Sequence, residues 1–230
     1  MLRVHPVLCP LAGGLVVSCQ ARAGHPLRSP TMIAALARAA CAGGAVAVRV
    51  SGEADIRAVR QAIGLPIIGL RKVFHPDTPV YITPTLADAR AVAEAGADII
   101  AVDATARPRP GGERLEDLLG AIHEELNRPV LADVATLDEG LWAARQGADA
   151  VATTLAGYTT FQPPPEEPDV DLVRALVQQL QVPVLAEGRY RRPDQARTAL
   201  RAGAFAVVVG RAITDPLMLT ELFLAALRSP

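Results

Sequence analysis

Lysine is almost absent from this sequence. Of 230 residues, 23 are lysine or arginine, and Lys72 is the one lysine among them. Arginine stays protonated at any working pH, whereas a desolvated lysine can lose its proton and act as a base. The alternative is that the single lysine occupies this position by chance and has no functional role. Lys72 is nevertheless the first candidate for acid–base chemistry.

The sequence also has little net charge, no long apolar run and few cysteines, and each of these features argues against a class of protein. The net charge is −1, with acids and bases mixed along the chain, so we expect no face for nucleic acid. No apolar run approaches the length of a membrane span. Cys9, Cys19 and Cys41 are odd in number and lack C-x-x-C spacing, which favours a reducing cytoplasm over a disulfide scaffold. No clustered His or Cys has ligand spacing, so we predict no structural or catalytic zinc.

What is abundant is apolar: half of the residues are hydrophobic, enough for one domain over residues 1–230. Short apolar runs recur along the chain and are continuous rather than alternating, as in a parallel sheet covered on both faces. We predict eight strands from them, at 14–20, 45–50, 66–72, 97–103, 129–135, 149–155, 183–189 and 205–211. The segments between them have helical spacing. Thr136 with Glu139 predicts a capping box, Thr85 with Asp88 predicts a looser version of one, and Pro193 suits a first helical turn.

A second periodicity supports this count. Strands two, four, six and eight follow a helix-ending glycine in CAGGA, EAGAD, RQGAD and RAGAF, whereas strands three, five and seven follow a proline. Each repeat is therefore a pair of βα units. Eight such units in this length predict an α/β protein with a single (β/α)8 TIM barrel. A doubly wound open sheet is the competing architecture.

In such barrels the chemistry lies at the carboxyl ends of the strands. The polar residues that end the predicted strands are Gln20, Arg49, Lys72, Asp103, Asp133, Thr153, Thr154, Glu187, Gly188, Gly210 and Arg211. Polar residues end buried strands in any soluble barrel, but this set brings a lysine, carboxylates and arginines to one mouth.

The last two strands end in EGR and VGR, where small-residue turns expose backbone N–H groups. Barrels commonly hold phosphate at this place, with N–H donors and a helix dipole. We therefore predict phosphate binding by Gly188 and Gly210, with a charge-assisted contact from Arg211. Glycine after a strand can also be ordinary turn chemistry.

Nearly the whole chain also resembles one family. The segments that carry the resemblance are VVSCQA (16–21), VAVRVSG (46–52), PIIGLRK (66–72), VYITPTLADARAVAEAGADIIAVDAT (80–105), RPRP (107–110), LADVATLDEG (131–140), VATTLAGYT (151–159) and LAEGR (185–189). They resemble N-acylglucosamine-6-phosphate 2-epimerases. The YITPT and RPRP segments are especially specific, because a generic barrel does not require those loops.

The resemblance implies a (β/α)8 enzyme that interconverts N-acetylmannosamine 6-phosphate and N-acetylglucosamine 6-phosphate without a metal or redox cofactor, in sialic acid and amino sugar catabolism. The family's strand-end residues match Lys72, Asp133, Glu187, Gln20 and Arg49.

Two segments depart from the family pattern. The chain has VSG at 50–52 where an ANG-like sequence is usual. It reads GRAITDP at 210–216, with Arg211 before AIT and Asp215 in the usual arginine position. Arg211 is a candidate to replace the missing arginine.

The reaction itself sets requirements. Inverting the carbon next to a carbonyl requires removal of a C–H proton, and no hydride or metal is needed if the carbonyl absorbs the charge. Lys72 is the candidate base and acid, with Glu187 relaying a proton or acting on the opposite face. Asp133 would hydrogen-bond Lys72 or a sugar hydroxyl.

Gln20 and Arg49 could hold the sugar and stabilise the enolate that forms when C2 loses its proton. Each residue also has a purely structural alternative. Arg49 could simply pair with a nearby carboxylate, and Gln20 could simply satisfy the hydrogen bonds of a loop. Asp103, Arg107 and Arg109 could reach substrate, but we favour their tying the fourth loop to its neighbours.

Other functions remain open at this point. A phosphosugar lyase or decarboxylase could use the same lysine and acids, a Schiff-base aldolase could use Lys72 as nucleophile, and an inactive barrel could merely bind a phosphosugar. The apolar last segment, residues 216–227, covers the barrel or mediates a homodimer, and we favour the homodimer.

Overall fold

The protein is a closed barrel of eight parallel strands, each paired with its sequence neighbours, with the last strand paired to the first. The computed structural model describes residues 2–159 and 165–228. The strands are β1 (Leu15–Cys19), β2 (Ala47–Ser51), β3 (Ile67–Leu70), β4 (Ile99–Asp103), β5 (Val130–Asp133), β6 (Ala150–Ala152), β7 (Val184–Glu187) and β8 (Ala206–Val209). Each predicted run overlaps one strand, and the predicted (β/α)8 fold is confirmed. The open sheet is excluded, because the barrel is closed.

Helices follow the strands and surround the barrel. They are α1 (Pro30–Ala42), α2 (Glu53–Ala62), α3 (Leu86–Glu94), α4 (Leu115–Leu126), α5 (Leu137–Arg145), α6 (Val170–Gln179), α7 (Pro193–Arg201), α8 (Arg211–Thr214) and α9 (Pro216–Arg228). The predicted capping boxes of α3 and α5 are both formed, and Pro193 is the first residue of α7. No helix of the described ranges is long and apolar enough to cross a membrane.

The apolar residues form two layers. One fills the barrel interior and the other lies between the sheet and the helices. A short 3-10 helix, Pro6–Leu11, contributes the fully buried Leu8 and Leu11 to the inner layer. This helix precedes β1, so it closes the end of the barrel at which the strands begin. The opposite end stays open, and there the strands present their last residues.

In two of the four repeats, EAGAD and RQGAD, an aspartate follows the helix-ending glycine and lies at the closed end of the barrel. Asp98 accepts a hydrogen bond from the backbone N–H of Ile67 at 2.8 Å and pairs with Arg60. Asp149 accepts from the N–H of Val130 at 2.8 Å and from His123 at 2.7 Å. In both repeats, the carboxylate after the helix-ending glycine satisfies the start of the preceding strand.

We expect His123→Gln to destabilise the protein more at about pH 6 than at about pH 9. The hydrogen bond to Asp149 raises the pKa of His123 above its ordinary value. A raised folded-state pKa contributes stability that is complete below the unfolded pKa and lost as pH rises through the folded pKa. Thermal melting across this range measures the effect.

Arg60→Gln is the matched control, because its partner Asp98 occupies the equivalent position and arginine does not titrate in this range. Its loss of stability should be nearly independent of pH. Equal losses at both pH values for His123→Gln would contradict a charged pair with Asp149.

Candidate active site

A cavity of about 780 Å³ opens at the carboxyl ends of the strands. Seven of the eight predicted site residues line it: Gln20, Arg49, Lys72, Glu187, Gly188, Gly210 and Arg211. The eighth, Asp133, is fully buried beneath it at the end of β5. The carboxyl ends of the strands therefore bring the predicted residues together at one place.

The floor of the cavity is an ion-pair network centred on Arg49. Its guanidinium donates to both carboxylate oxygens of Asp133, at 3.0 and 2.5 Å, and to Glu187 at 2.5 Å. Arg49 and Asp133 have side-chain exposures of 2% and 0%, and Glu187 is 13% exposed. Burial alone would lower the pKa of Arg49, but the two carboxylates raise it above its ordinary value. Arg49 therefore stays charged and fixes both acids.

Thr154 completes this network, and sequence reasoning had assigned it no role. Its hydroxyl oxygen lies 2.6 Å from Asp133 and 3.1 Å from Glu187. The neighbouring Thr153 bonds the backbone N–H and carbonyl of Glu187. The TT pair at the end of β6 was visible as two strand-end polar residues, but its partners became visible only in the folded barrel.

The surroundings of Glu187 favour its protonated form. Burial raises its pKa above the ordinary value, the Arg49 guanidinium opposes this shift, and the Asp133 carboxylate adds to it. Its side chain reaches the cavity, whereas Asp133 lies below. Glu187 is thus the carboxyl group placed to exchange a proton with a bound molecule.

Lys72 lies just past β3, which ends at Leu70, so the predicted strand over 66–72 is two residues too long. Its side chain is accessible from the open cavity, yet the surrounding protein removes enough water to lower its pKa. The positive charge of Arg49 lowers that pKa further, while Glu187 and Asp133 oppose the shift. No described carboxylate lies within ion-pair distance of its ammonium. The hydrogen bond considered for Lys72 and Asp133 is not formed, because Asp133 is engaged by Arg49.

Gln20 lines the cavity next to β1. Its amide nitrogen donates to Ser18 Oγ at 2.9 Å, while its buried carbonyl oxygen has no partner among the described residues. A buried acceptor without a partner is costly unless a ligand or water satisfies it. Ser18 therefore holds the amide nitrogen of Gln20, and the carbonyl oxygen is left to accept a hydrogen bond from a bound molecule.

The two predicted phosphate turns both reach the cavity. Gly188 has φ 109°, which favours glycine, and Gly210 precedes α8. Among the described residues, the backbone N–H groups of Gly188, Gly210 and Arg211 have no acceptor. Helix α8 is a single turn, so the donors here are individual N–H groups rather than the dipole of a long helix.

Asp215, at the unusual position after AIT, has a structural role. It accepts hydrogen bonds from the N–H of Met218 at 2.9 Å and from His25 at 3.1 Å, so it begins α9 and anchors the β1–α1 loop. Arg211 lines the cavity, is exposed and makes no ion pair within the described part of the chain. Its guanidinium is free to meet an anion.

The cavity carries an excess of positive charge although the chain is nearly neutral. Eight of its lining residues are arginine or lysine and five are aspartate or glutamate. A concave site with this imbalance attracts anions by its local field. This excess of basic residues in the cavity is consistent with the binding of an anion there.

The contacts in the fourth loop fit the structural role that we favoured, in which Asp103, Arg107 and Arg109 tie this loop to its neighbours. Arg107 pairs with Asp103 at 2.7 Å, and Arg109 is buried and bonds backbone carbonyls. None of the three lines the cavity. No group of three or more His, Cys, Asp or Glu side chains suited to a metal ion occurs in the described ranges.

Comparison with known proteins places these features in one family. Residues 33–229 match the family model described as "Putative N-acetylmannosamine-6-phosphate epimerase". Two relatives named "Putative N-acetylmannosamine-6-phosphate 2-epimerase" are those of Thermosynechococcus vestitus, 53% identical over 95% of both chains, and of Cutibacterium acnes, 48% identical over 96% of this chain and 97% of its own.

A solved structure of N-acetylmannosamine-6-phosphate 2-epimerase from Clostridium perfringens superposes with a TM-score of 0.93. It is 39% identical and covers 98% of each chain. The match of fold and sequence over nearly the whole length shows that this chain belongs to the N-acetylmannosamine-6-phosphate epimerase family.

Proposed function

We propose that this protein interconverts N-acetylmannosamine 6-phosphate and N-acetylglucosamine 6-phosphate by inverting C2. The family membership supports the reaction. The observation that carries its assignment to this cavity is the single lysine, which faces the cavity with a lowered pKa and forms no ion pair with a carboxylate of the described residues. The enzyme is an isomerase acting on a phosphosugar.

The chemistry follows from the acidity of the carbon next to a carbonyl. In the open-chain sugar, the C1 carbonyl allows C2 to lose its proton as an enolate. Neutral Lys72 takes that proton, and its lowered pKa increases the neutral fraction available at working pH. Return of a proton to the other face of C2 gives the epimer. Glu187, with its raised pKa, supplies or relays that proton.

The other residues bind and stabilise. The Arg49 guanidinium provides the positive charge beside which an enolate oxygen can develop, and Asp133 fixes Arg49 from below. The unpartnered carbonyl oxygen of Gln20 accepts from a sugar hydroxyl or the amide N–H. The N–H groups of Gly188 and Gly210, with Arg211, hold the phosphate.

We expect Arg211→Ala to raise KM about ten-fold or more, on the scale of a lost charge-assisted hydrogen bond. The turnover number should change less, because the phosphate is remote from C2. Steady-state kinetics measure both. Arg197→Ala, an exposed arginine on α7 outside the cavity, is the control and should leave KM unchanged. An unchanged KM in Arg211→Ala would leave the phosphate to backbone groups alone.

The function is tested by proton NMR of purified protein with N-acetylmannosamine 6-phosphate. The anomeric signals of N-acetylglucosamine 6-phosphate should grow to a constant ratio with those of the substrate, with no change in carbon skeleton. Cleavage products would instead identify a lyase or an aldolase, and no change would leave a binding protein. The non-phosphorylated sugar should react poorly, because binding energy from the phosphate positions the reacting carbon.

We also propose that the active form is a homodimer joined through α9. Leu222, Phe223 and Leu227 are 56%, 70% and 81% exposed, and α9 buries none of its residues in the monomer. A second copy is the occupant that would cover this face. Light scattering should give twice the mass of 24.1 kDa.

Three further assignments complete the proposal. The whole chain, residues 1–230, is one domain, and the protein works in the cytoplasm, where its three free cysteines stay reduced. It binds no nucleic acid, because a net charge of −1 with acids and bases mixed along the chain leaves no basic face for it.

A further inference from the structure

The position of Lys72 depends on a segment ten residues away. Because β3 ends at Leu70, no strand of the barrel holds the lysine directly. Lys72 instead pairs with Ile82 in an antiparallel bridge, and the N–H of the next residue, Val73, donates to the carbonyl of Tyr81 at 2.9 Å. The lysine therefore lies on one arm of a hairpin whose other arm is residues 81–83.

Thr83, on the return arm, is held in an unusual conformation. It has φ 44°, in the left-handed region, which is rare for a β-branched residue and persists only when its surroundings enforce it. Its N–H donates to the carbonyl of Arg71 at 2.7 Å, and its hydroxyl oxygen accepts from the N–H of Arg71 at 3.1 Å. Thr83 thus makes two hydrogen bonds to the backbone of Arg71, the residue that immediately precedes Lys72.

Arg109 bonds the return arm at Thr83 and at the residue that follows it. Its guanidinium donates to the carbonyls of Pro84 at 3.1 Å, Thr83 at 3.2 Å and Asp103. The residue is 6% exposed, and no carboxylate of the described ranges lies within ion-pair distance of it. A buried charge that serves only backbone acceptors fixes geometry, since the planar fork matches all three carbonyls at once.

We propose that Arg109 is a positioning residue for Lys72. It ties the end of β4 to the return arm of the hairpin, and Thr83 passes this constraint to Arg71 and hence to Lys72. Arg109 does not line the cavity, so it acts through the hairpin rather than on the sugar. The proposal deepens the proposed function and rests on it for the role of Lys72.

The single lysine makes a direct test possible. In protein grown with ¹³C-labelled lysine, one side-chain signal reports on Lys72 alone, and its shift against pH gives its pKa. The variant Arg109→Gln should release the hairpin arm and move that pKa upward, toward the ordinary value of about 10.4, as the ammonium moves away from Arg49 and from the protein atoms that desolvate it. Its turnover number should fall roughly ten-fold to a hundred-fold, with KM within about three-fold of the parent value.

Arg128→Gln is the matched control. Arg128 also donates to backbone carbonyls, those of Ala97 and Asn127, but at the closed end of the barrel. Arg128→Gln should leave the lysine pKa and the turnover number unchanged. If Arg109→Gln does not fold, Thr83→Ala tests the same route by removing the hydroxyl that accepts from Arg71, together with the γ-methyl group, and should shift the lysine pKa in the same direction.

A folded Arg109→Gln, or in its place Thr83→Ala, with the parent's turnover and lysine pKa would overturn the proposal. The outcome is separable from the proposed function: a parent protein that does not epimerise removes that function, while the lysine titration still reports whether Arg109 positions Lys72.

Discussion

Lys72→Arg should lower the turnover number by roughly 10² to 10⁴, the usual contribution of a positioned acid or base. Arginine keeps the positive charge and much of the bulk, but it does not give up a proton near neutral pH. In the cavity, Lys72 has a lowered pKa, and no carboxylate in the part of the chain that the structure describes pairs with it, so its described surroundings do not require a permanent charge. Steady-state kinetics with N-acetylmannosamine 6-phosphate measure the loss.

Melting temperature and phosphosugar binding are the controls for this variant. Both should stay close to those of the parent, because neither the Arg49 network nor the phosphate turns contact the lysine through hydrogen bonds. A stable variant with near-parental turnover would remove Lys72 from proton transfer. Glu187, with its raised pKa, would then be the better candidate.

Arg49→Met should cost about 3–5 kcal/mol of stability near neutral pH, or a fall of about 6–20 °C in melting temperature. The substitution leaves two carboxylates buried against each other without their cation. The pKa of Glu187, already raised, should rise further without Arg49. Because a raised carboxyl pKa penalises the folded state increasingly as pH rises, the deficit should be larger at about pH 8 than at about pH 5.

Arg90→Met is the control for this effect. Arg90 and Glu125 form an ion pair in which each side chain is 49% exposed, so its loss should cost at most about 1 kcal/mol. Thermal melts of both variants at the two pH values give the comparison. A deficit for Arg49→Met as small as that of Arg90→Met would show that Arg49 serves the ligand and contributes little to the fold.

The parts of the fold that depend on residues close together in the sequence were predictable. The capping boxes at Thr85 and Thr136 and the glycine-ended helices are local signals, and the continuous apolar runs follow from burial on both faces of a strand. The site residues were predictable as a set, because every parallel strand of a barrel presents its end to the same mouth.

Pairings across the barrel were not predictable. Arg49 meets Asp133 and Glu187, which are 84 and 138 residues away, and no local pattern indicates which carboxylate an arginine will choose. The run PIIGLRK is apolar up to its last two residues, so the strand seemed to reach Lys72. Its true end at Leu70 is set by the hairpin with Ile82 and by the left-handed Thr83.

The central claim is that C2 exchanges its proton with a group of the protein that equilibrates with water. The direct measurement is proton NMR of the parent enzyme with N-acetylmannosamine 6-phosphate in deuterated water at early conversion. We predict that N-acetylglucosamine 6-phosphate appears with deuterium at C2 and that no other carbon-bound position exchanges. Product that forms without deuterium at C2 would contradict the claim.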